Sequence, residues 1–326
     1  MSLTWTCYHQ VRKSPKADAY FELQRARALA DDPNAQNFFP MMVRIGQALQ
    51  KKAKIIPPPS KTIHLKALDI CMAPGGYSAT VLKFNSYSQV CGVTLPEALG
   101  GHRVHLPDWQ KNSRVKIQFL DITMLAAEMG FPDLVSQNQP GVVEFSNDRP
   151  FQGQQFDVVF CDGKVLDTHT RTLEAINEPV RLTAAQLTLA FHRIKYSGTL
   201  IMLLHQSYGP HNVRLLEAFN QFSQIEVIKH QVSHVKRSSF YLVAKNVDPQ
   251  HPRARRLIDE MRWAWRKLTA INFNVNFPDS DAGKEPEKED MKDIMDSFGE
   301  KLLELAEPGW KLQTQAMVEA FLSDSS

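Results

Sequence analysis

The stretch Asp69-Ile-Cys-Met-Ala-Pro-Gly-Gly-Tyr-Ser78 is the most informative part of this chain. It follows an apolar run, Leu65 to Ile70, that is typical of a buried strand, and it leads into Ala79-Thr-Val-Leu82, which continues as a helix. The two glycines let the backbone approach a bound molecule closely. The free N–H groups and positive dipole end of the helix start favour an anion such as a carboxylate. The pattern predicts a ligand-binding corner.

Two kinds of cofactor suit such a corner, and an ordinary strand-to-helix turn without any ligand is the third possibility. Dinucleotides usually require Gly-x-Gly-x-x-Gly, so that a pyrophosphate sits on the helix, and that spacing is absent here. The alternative is S-adenosylmethionine, whose methionine end carries a carboxylate and needs one close backbone approach.

The same residues resemble a known motif. Asp-x-x-x-Ala-Pro-Gly-Gly-aromatic-Ser, from Asp69 to Ser78, looks like the first motif of the FtsJ/RrmJ family of RNA 2′-O-ribose methyltransferases, and the resemblance extends over roughly Ile63 to Asn246. It implies an α/β, Rossmann-like class I methyltransferase fold, S-adenosyl-L-methionine as cofactor, and RNA methylation, for example in rRNA processing. It also implies a seven-stranded, mostly parallel sheet with helices on both faces.

The rest of the central chain fits that architecture, because continuous apolar runs alternate with helical segments. The predicted strands are Leu65–Ile70, Gln89–Thr94, Val115–Leu120, Phe156–Cys161, Thr199–Leu204, Gln224–Ile228 and Ser239–Ala244. The predicted helices include Asn37–Ala53, Leu182–Ile194, Asn212–Phe222 and Arg253–Leu268. Tyr196-Ser-Gly198 is predicted as the stop of the helix before it. The resemblance implies that the last two strands form an antiparallel pair.

Three segments are predicted along the chain: a helical N-terminal extension (1–60), the methyltransferase domain (61–247) and a helical C-terminal extension (248–326). The first holds a helix over Ala19–Ala30 and ends in the stiff connector Ile56-Pro-Pro-Pro-Ser60. The last begins basic: residues 226–267 hold ten Lys/Arg against four Asp/Glu, net +6. Residues 279–307 hold four Lys against eleven Asp/Glu, net −7, and this acidic part begins in a linker, Phe277 to Pro286, that is expected to be flexible.

Bulk composition excludes several classes of protein. The chain has 326 residues, is 43% hydrophobic and has a formal net charge of +3, which is ordinary globular composition rather than that of a polycation. We expect no membrane span and no secretory leader, and an intracellular location, cytoplasmic or nuclear. The four scattered cysteines predict free thiols, and neither they nor the histidines have the spacing of a metal site.

Cofactor contacts are expected at the strand ends, where ligands of open α/β sheets lie. On the methionine side the expected residues are Asp69, Pro74, Gly75, Gly76 and Tyr77, with Asp69 supporting the glycine loop. For the ribose, Thr94 or Glu97 takes the place of the acid that many methyltransferases carry. The resemblance implies that Asp121 accepts a hydrogen bond from the adenine amino group, that Ile122 donates a backbone N–H, and that Asp162 lies close to the sulfonium.

The catalytic residues depart from the resemblance. The family uses a Lys–Asp–Lys–Glu set, of which Asp162 matches the Asp, whereas Glu22, Leu203 and Ser239 stand at the other three positions. Lys164 and Lys236 are the predicted substitutes, with Lys16, His205 and Arg237 also near in sequence. Because positioned acid–base groups contribute about 10²–10⁴-fold, we expect ribose methylation in the usual family manner to be weak or absent.

RNA is the expected partner, through the basic segment 229–237 and through 253–267, where Trp263 and Trp265 lie among arginines and lysines. A solvated helix face with one of the tryptophans packed inward is the other interpretation of the second segment. Two further functions stay open. One is a catalytically impaired, cofactor-binding partner protein, and the other is a methyltransferase for a small molecule or a protein.

Overall fold

Parallel strand pairing dominates the structure, a computed structural model that describes residues 15–20, 22, 38–62, 64–140, 143–165, 173–207, 209–277, 286–287 and 289–321. Within those residues seven strands form one sheet in the order β3-β2-β1-β4-β5-β7-β6. The strands are β1 (Lys66–Ile70), β2 (Gln89–Thr94), β3 (Val115–Phe119), β4 (Phe156–Cys161), β5 (Ile194–His205), β6 (Gln224–Ile228) and β7 (Ser239–Val247).

The strand pairing explains which edge of the sheet can hold a site. Strands β1 to β5 are mutually parallel, so their carboxyl ends meet at one edge. Strand β7 runs antiparallel between β5 and β6, as the family resemblance implied, and its start pairs with the end of β5 through Ser239 and His205. This is the Rossmann-like class I methyltransferase sheet that the sequence predicts.

Helices cover both faces of the sheet. Within the described residues they include α1 (Phe38–Ala53), α2 (Gly76–Phe84), the short α3 (Ala126–Met129), α4 (Leu173–Arg193), α5 (Pro210–Phe222), α6 (Pro252–Phe273) and α7 (Met291–Phe321). Three 3₁₀ helices, Glu97–Leu99, Ile122–Met124 and Pro132–Gln137, follow the ends of β2 and β3. None of the described helices is both long and apolar enough to cross a membrane.

Alternation along the strands divides the core into two layers. Leu68, Ile70 and Val159 point into the larger apolar cluster, whereas Ala67 and Phe160 point into the cluster that α1 and α2 cover. The larger cluster also contains apolar residues of α6 and α7. The helices after residue 247 therefore share the core of the sheet, and α1 joins it on the opposite face.

The structure corrects the sequence prediction around the end of α4 and the start of β5. Helix α4 begins earlier than predicted and ends at Arg193, so the prediction that Tyr196–Gly198 stops the helix is wrong. Those residues lie at the start of β5, which has an irregular register there and Ser197 at a φ of 62°. Most of the predicted helix 19–30 and the predicted flexible linker lie outside the described residues. Cys71, Cys91 and Cys161 are free thiols, as predicted.

Candidate active site

The glycine turn between β1 and α2 leaves the helix start open to a ligand. Gly75 precedes α2 with a φ of 102°, a left-handed conformation that favours glycine, and no side chain caps the helix. The first N–H groups of α2 are thus available to an anion. The carbonyl of Pro74 accepts a hydrogen bond from His105 N at 2.9 Å, which ties the loop after β2 to this turn.

The second glycine of the motif has a packing role that the sequence did not reveal. A Cβ on Gly76 would lie 2.4 Å from the Cβ of Met42 and 2.8 Å from the backbone nitrogen of Val43, both in α1. A Cβ on Gly75 would meet only Leu106 and Met72, at 3.3 and 3.4 Å. Gly76 therefore lets α1 approach the start of α2, and its predicted backbone contact with a cofactor stays a prediction.

Asp69 is buried beneath the glycine turn. Its Oδ2 accepts a hydrogen bond from Ser78 Oγ at 2.6 Å, while its covered Oδ1 has no partner among the described residues. Burial raises the pKa of this carboxyl to about 7, and the hydrogen bonds with Ser78 oppose that shift. The bond to Ser78 ties Asp69 to the first turn of α2, and the role of Asp69 toward a cofactor stays a prediction.

Asp162 follows β4 and lies on the same face of the sheet. Burial, and then the charge of Asp69, raise the pKa of the Asp162 carboxyl to about 8. Hydrogen bonds from Tyr77 and Tyr241 lower it in part. Its Oδ1 is covered and has no partner within the described chain. Two carboxylates near each other, each with an unpartnered oxygen, make this a place where a cationic ligand is stabilised.

Tyr241 is a site residue that sequence reasoning missed. Its hydroxyl lies 2.7 Å from that of Tyr77, whose ring stacks on Phe160 with centroids 5.2 Å apart. Both tyrosines are buried, and both hydroxyls act on the Asp162 carboxyl by lowering its pKa. The only signal in the sequence is one hydroxyl-bearing residue in the apolar run of β7. Tyr77, predicted to line the methionine side, thus combines packing with a hydrogen bond.

Gln186 of α4 is a second residue that the sequence did not reveal. Its Oε1 accepts a hydrogen bond from Gly163 N at 2.7 Å, and its Nε2 donates to Gly163 O at 3.3 Å. A Cβ on Gly163 would lie 2.5 Å from Cys71 Sγ and 2.8 Å from Gln186 Oε1. The backbone immediately after Asp162 is therefore held from both sides.

The predicted adenosine side lies at the ends of β2 and β3. Thr94 Oγ1 accepts a hydrogen bond from Ala73 N at 3.3 Å, which joins the end of β2 to the glycine turn. Asp121 Oδ1 accepts two, from Thr123 N at 2.9 Å and from Thr123 Oγ1 at 2.8 Å. The side chain of Ile122, which lies between Asp121 and Thr123 in the sequence, is buried. Burial is the largest cause that raises the pKa of the Cys71 thiol, and the charges of Asp121, Asp69 and Asp162 raise it further. The three carboxylates therefore all lie near Cys71.

The register of the sheet places two of the altered tetrad positions near Asp162. Leu203 pairs with Tyr241 across β5 and β7, and it packs in the apolar cluster that contains Tyr77. Ser239 pairs with His205 and is buried. Glu22 belongs to a helical segment near the N-terminus and is exposed. The hydroxyls of Tyr77 and Tyr241, rather than a lysine on β5, are thus the described side-chain groups that lower the pKa of Asp162.

The loop between β6 and β7, residues 229–238, overhangs the same edge and is built around a buried lysine. Lys229 Nζ donates hydrogen bonds to the carbonyls of Ser239 at 2.8 Å and His234 at 3.4 Å, and to that of Arg237. Burial lowers the pKa of Lys229 to about 7. This side chain holds the loop together, so the basic segment predicted to contact RNA has a defined conformation.

Basic groups gather between this loop and the end of β4. Desolvation, then the charges of Lys164, Arg237 and Lys229, lower the pKa of His205 to about 4. The pKa of His234 is lowered to about 4 by desolvation and by the same basic neighbours. Both imidazoles are therefore neutral near pH 7, and the potential here is positive. His205 keeps an exposed surface at the end of β5.

Lys236, a predicted catalytic residue, is engaged by aromatic rings. Its ammonium lies 4.9 Å from the ring centroid of Tyr20 and 5.6 Å from that of Phe321. Its carbonyl accepts a hydrogen bond from Gln313 Nε2 at 3.1 Å. The N-terminal helical segment and α7 thus meet on the β6–β7 loop. The catalytic role of Lys236, like that of Lys164, stays a prediction.

The second segment predicted to contact RNA, 253–267, lies in α6, and most of its polar groups have partners within the chain. Trp265 is buried, as the alternative interpretation expected of one tryptophan. Arg253 and Arg256 pair with Glu260, and Arg262 Nε donates to Met129 O at 2.7 Å. The RNA contact of this segment stays a prediction.

One observation indicates that the polar groups at this edge suit S-adenosylmethionine. Asp69 and Asp162 each have a covered carboxylate oxygen with no partner in the described part of the chain, and both lie at the same edge as the uncapped start of α2. The methionine end of the cofactor carries a cationic ammonium, a cationic sulfonium and an anionic carboxylate. Buried carboxylates suit the first two groups and free helix N–H groups suit the third.

Comparisons with known proteins bear on the family. Residues 47–247 match the model of the FtsJ-like methyltransferase family, which is more than half of the chain. No curated protein matches the chain. Solved structures similar to it include a protein of Nostoc punctiforme assigned as an O-methyltransferase, with 14% identity, a TM-score of 0.39, and coverage of 65% of this chain and 58% of that one.

An rRNA methylase from Streptococcus thermophilus is similar at 10% identity, with a TM-score of 0.38 and coverage of 63% of this chain and 96% of that one. The N-methyltransferase NodS from Bradyrhizobium japonicum is similar at 12% identity, with a TM-score of 0.37 and coverage of 68% and 100%. At these values the solved structures carry no argument about activity. The family match, the strand order and the glycine turn agree, and the chain belongs to the FtsJ-like methyltransferase family.

Proposed function

We propose that this protein binds S-adenosylmethionine at the carboxyl ends of β1 to β4 and transfers its methyl group to an acceptor at the end of β5 and the start of β7. One observation carries the proposal: Asp69 and Asp162 each have a buried carboxylate oxygen without a partner in the described chain. Such groups are costly unless a ligand satisfies them. A ligand with two cationic groups and one carboxylate matches their position beside the open start of α2.

The proposal gives each cofactor residue a task. Gly75, Gly76 and Tyr77, with Pro74, receive the methionine part, and Asp69 supports them from beneath. Thr94 takes the ribose. Asp121 accepts from the adenine amino group, and the backbone N–H of Ile122 donates to the ring. When bound, the cofactor supplies a methyl group on a sulfonium, ready for in-line displacement by a nucleophile.

Asp162 is the proposed proton acceptor. Methyl transfer to a hydroxyl forms an O–CH₃ bond, breaks the S–CH₃ bond and releases one proton from the acceptor. A carboxyl group with a pKa of about 8 is matched to proton transfer near neutral pH. Tyr77 and Tyr241 orient that carboxylate through their hydroxyls. Lys164 and the neutral imidazole of His205 are the groups that we place next in a proton path.

We propose RNA as the acceptor class, with the ribose 2′-hydroxyl as the modified group. The support is the family, together with two basic groups beside the site: Lys164 after β4 and Arg237 in the β6–β7 loop. Cationic side chains at this edge attract a phosphate backbone. The loss of lysine at position 203 predicts a slower reaction than in a member with the full tetrad.

A second candidate is a cofactor-binding protein with little or no transfer activity. A specific observation favours it: Leu203 fills the expected lysine position with an apolar side chain packed against the core, and the Lys236 ammonium is engaged by Tyr20 and Phe321. A third candidate, a methyltransferase for a protein or a small molecule, demands less of a base if the acceptor is an amine.

The test has two stages. Isothermal titration of the full chain with S-adenosylmethionine measures cofactor binding, and a chain that gives neither heat nor a thermal shift at millimolar cofactor contradicts the proposal outright. Single-turnover transfer from methyl-labelled cofactor to total RNA, followed by nucleoside analysis, then identifies the acceptor. Labelled 2′-O-methylnucleosides support RNA, labelled protein or small molecules support the third candidate, and binding without transfer supports the second.

A further inference from the structure

One backbone carbonyl near the predicted adenine site receives two buried donors. Thr123 O accepts hydrogen bonds from Trp265 Nε1 at 2.8 Å and from Arg181 Nη2 at 2.9 Å. The same residue donates both its N–H and its Oγ1–H to Asp121 Oδ1. An uninterrupted chain of hydrogen bonds thus runs from Trp265 and Arg181 through Thr123 to the carboxylate of Asp121.

Both donors are themselves held in place. Trp265 and Arg181 are among the largest fully buried side chains of the described residues. Arg181 Nε donates to Thr269 Oγ1 at 3.1 Å, Nη1 pairs with Glu178 at 2.6 Å, and the guanidinium lies 4.9 Å from the ring centroid of Phe273. A buried guanidinium is tolerated only when its donors are satisfied in this way.

Most of this support comes from outside the family domain. Trp265, Thr269 and Phe273 belong to α6, which begins at Pro252, beyond the end of the family match at residue 247. Helix α6 also packs closely on Gly130, directly after α3, since a Cβ on Gly130 would lie 1.6 Å from Arg262 Nη2. The C-terminal extension is therefore fitted to the segment that follows β3.

We propose that α6 positions the adenine-binding turn, with Trp265 and Arg181 as positioning residues that act through Thr123 on Asp121. The inference rests on the proposed cofactor. Both bonds from Thr123 use Oδ1 of Asp121, so they set the rotation of the carboxylate and the direction of its other oxygen. Loss of a hydrogen bond to the Thr123 carbonyl makes the turn more mobile, and Asp121 then discriminates less well for the adenine amino group.

The test compares two ligands that differ at one group. S-adenosylhomocysteine carries the adenine amino group, and S-inosylhomocysteine carries a carbonyl oxygen there. Titration of the full chain with each gives a preference ratio, which a general loss of stability does not change. Trp265→Phe removes the indole N–H but keeps an aromatic ring, and we expect it to reduce the preference for the adenosyl ligand about three- to tenfold.

Trp310→Phe is the matched control, because Trp310 also donates an indole N–H, to Ser207 Oγ at 2.8 Å, at the other side of the edge. It should leave the ratio unchanged. Thr269→Val, which removes the acceptor of Arg181 Nε, is the second variant and should lower the ratio less than Trp265→Phe. It also keeps the test decisive if Trp265→Phe does not fold.

A double variant separates positioning from simple destabilisation. Asp121→Ala should abolish the preference, and adding Trp265→Phe to it should change the ratio no further, because the two residues act on one contact. Equal weakening of both ligands by Trp265→Phe and Thr269→Val, or no weakening, overturns the inference while leaving the proposed function intact. A wild-type chain that binds neither ligand overturns both.

Discussion

The two halves of the carboxyl edge are built differently. The cofactor half lies at the ends of β1 to β4, where the candidate residues lie near the end of a strand or a few residues after it. The acceptor half lies at the end of β5 and the start of β7, where the β6–β7 loop is held by the segment around Tyr20 and by α7. A site made of strand ends can be located from sequence, whereas a site made of separate segments becomes visible only in three dimensions.

The halves also differ in charge. Asp69, Asp121 and Asp162 gather in the cofactor half, and burial raises the pKa of two of them. Lys164 and Arg237 gather in the acceptor half and lower the pKa of His205, after its desolvation. A cationic cofactor and an anionic acceptor would each meet the opposite sign, and the sulfonium would lie at the boundary, beside Asp162.

Removing the residue at that boundary should have the largest effect. We expect Asp162→Ala to lower single-turnover methyl transfer by about 10²–10⁴-fold, because the proposed proton acceptor is lost. Binding of S-adenosylhomocysteine, which lacks the sulfonium charge, should change far less. Asp148→Asn, at an exposed aspartate of a loop, is the control. Equal losses in transfer and in binding would place Asp162 in the cofactor half alone.

The second prediction concerns pH. The pKa values of Asp69 and Asp162 are raised from 3.8 to about 7 and about 8, and the two carboxyl groups titrate as a coupled pair. Below those pH values the two groups are increasingly neutral. Affinity for S-adenosylmethionine should therefore rise with pH between about 6 and 9, by up to tenfold per pH unit for each proton released. Titrations in buffers of different ionisation enthalpy would count those protons.

The same shifts fix the pH dependence of stability. A carboxyl group with a raised pKa costs the folded state nothing below its unfolded value of 3.8, and its penalty grows as pH rises toward the folded value. The thermal shift given by S-adenosylmethionine should then increase with pH. Asp69→Asn and Asp162→Asn should each flatten that trend, and a trend unchanged in both variants would contradict the assignment.

The sequence locates the cofactor half well because the chemistry is local. The strand bounds of β2, β4 and β6 are those predicted. Asp69 lies near the end of β1, and Asp121 and Asp162 follow β3 and β4 at the same edge. It does not locate Tyr241 or Gln186, because each reaches the site from a strand or helix distant in the chain. For Gly76 the sequence predicts only a contact with the ligand. It does not predict the packing against Met42, because that depends on how α1 crosses α2.

Gly76 provides the third prediction, a test of how the cofactor half is packed. Gly76→Ala places a methyl group 2.4 Å from Met42 Cβ, so we expect a loss of about 1–3 kcal/mol in the free energy of unfolding. Gly299→Ala in α7 is the matched control: its methyl would lie 3.5 Å from Met295 Cε, an ordinary contact, and helix propensity predicts a gain of about 0.5–1 kcal/mol. Denaturant unfolding of the two variants should show opposite signs.

The smallest expected effect comes from the acceptor half. Trp310 of α7 donates its indole N–H to Ser207, two residues after the end of β5, so Trp310→Phe should cost about 0.5–1.5 kcal/mol in the free energy of unfolding. If α7 serves the acceptor half, the variant should bind S-adenosylhomocysteine as the wild type does, and its methyl transfer to RNA should fall about two- to fivefold, because His205 and the β6–β7 loop lose part of their support. Trp265→Phe should show the reverse pattern, with weaker cofactor recognition. If Trp310→Phe instead weakened cofactor binding as much as it slowed methyl transfer, the two halves would be coupled structurally. The contrast between them would then lie only in how far apart their residues are in the sequence.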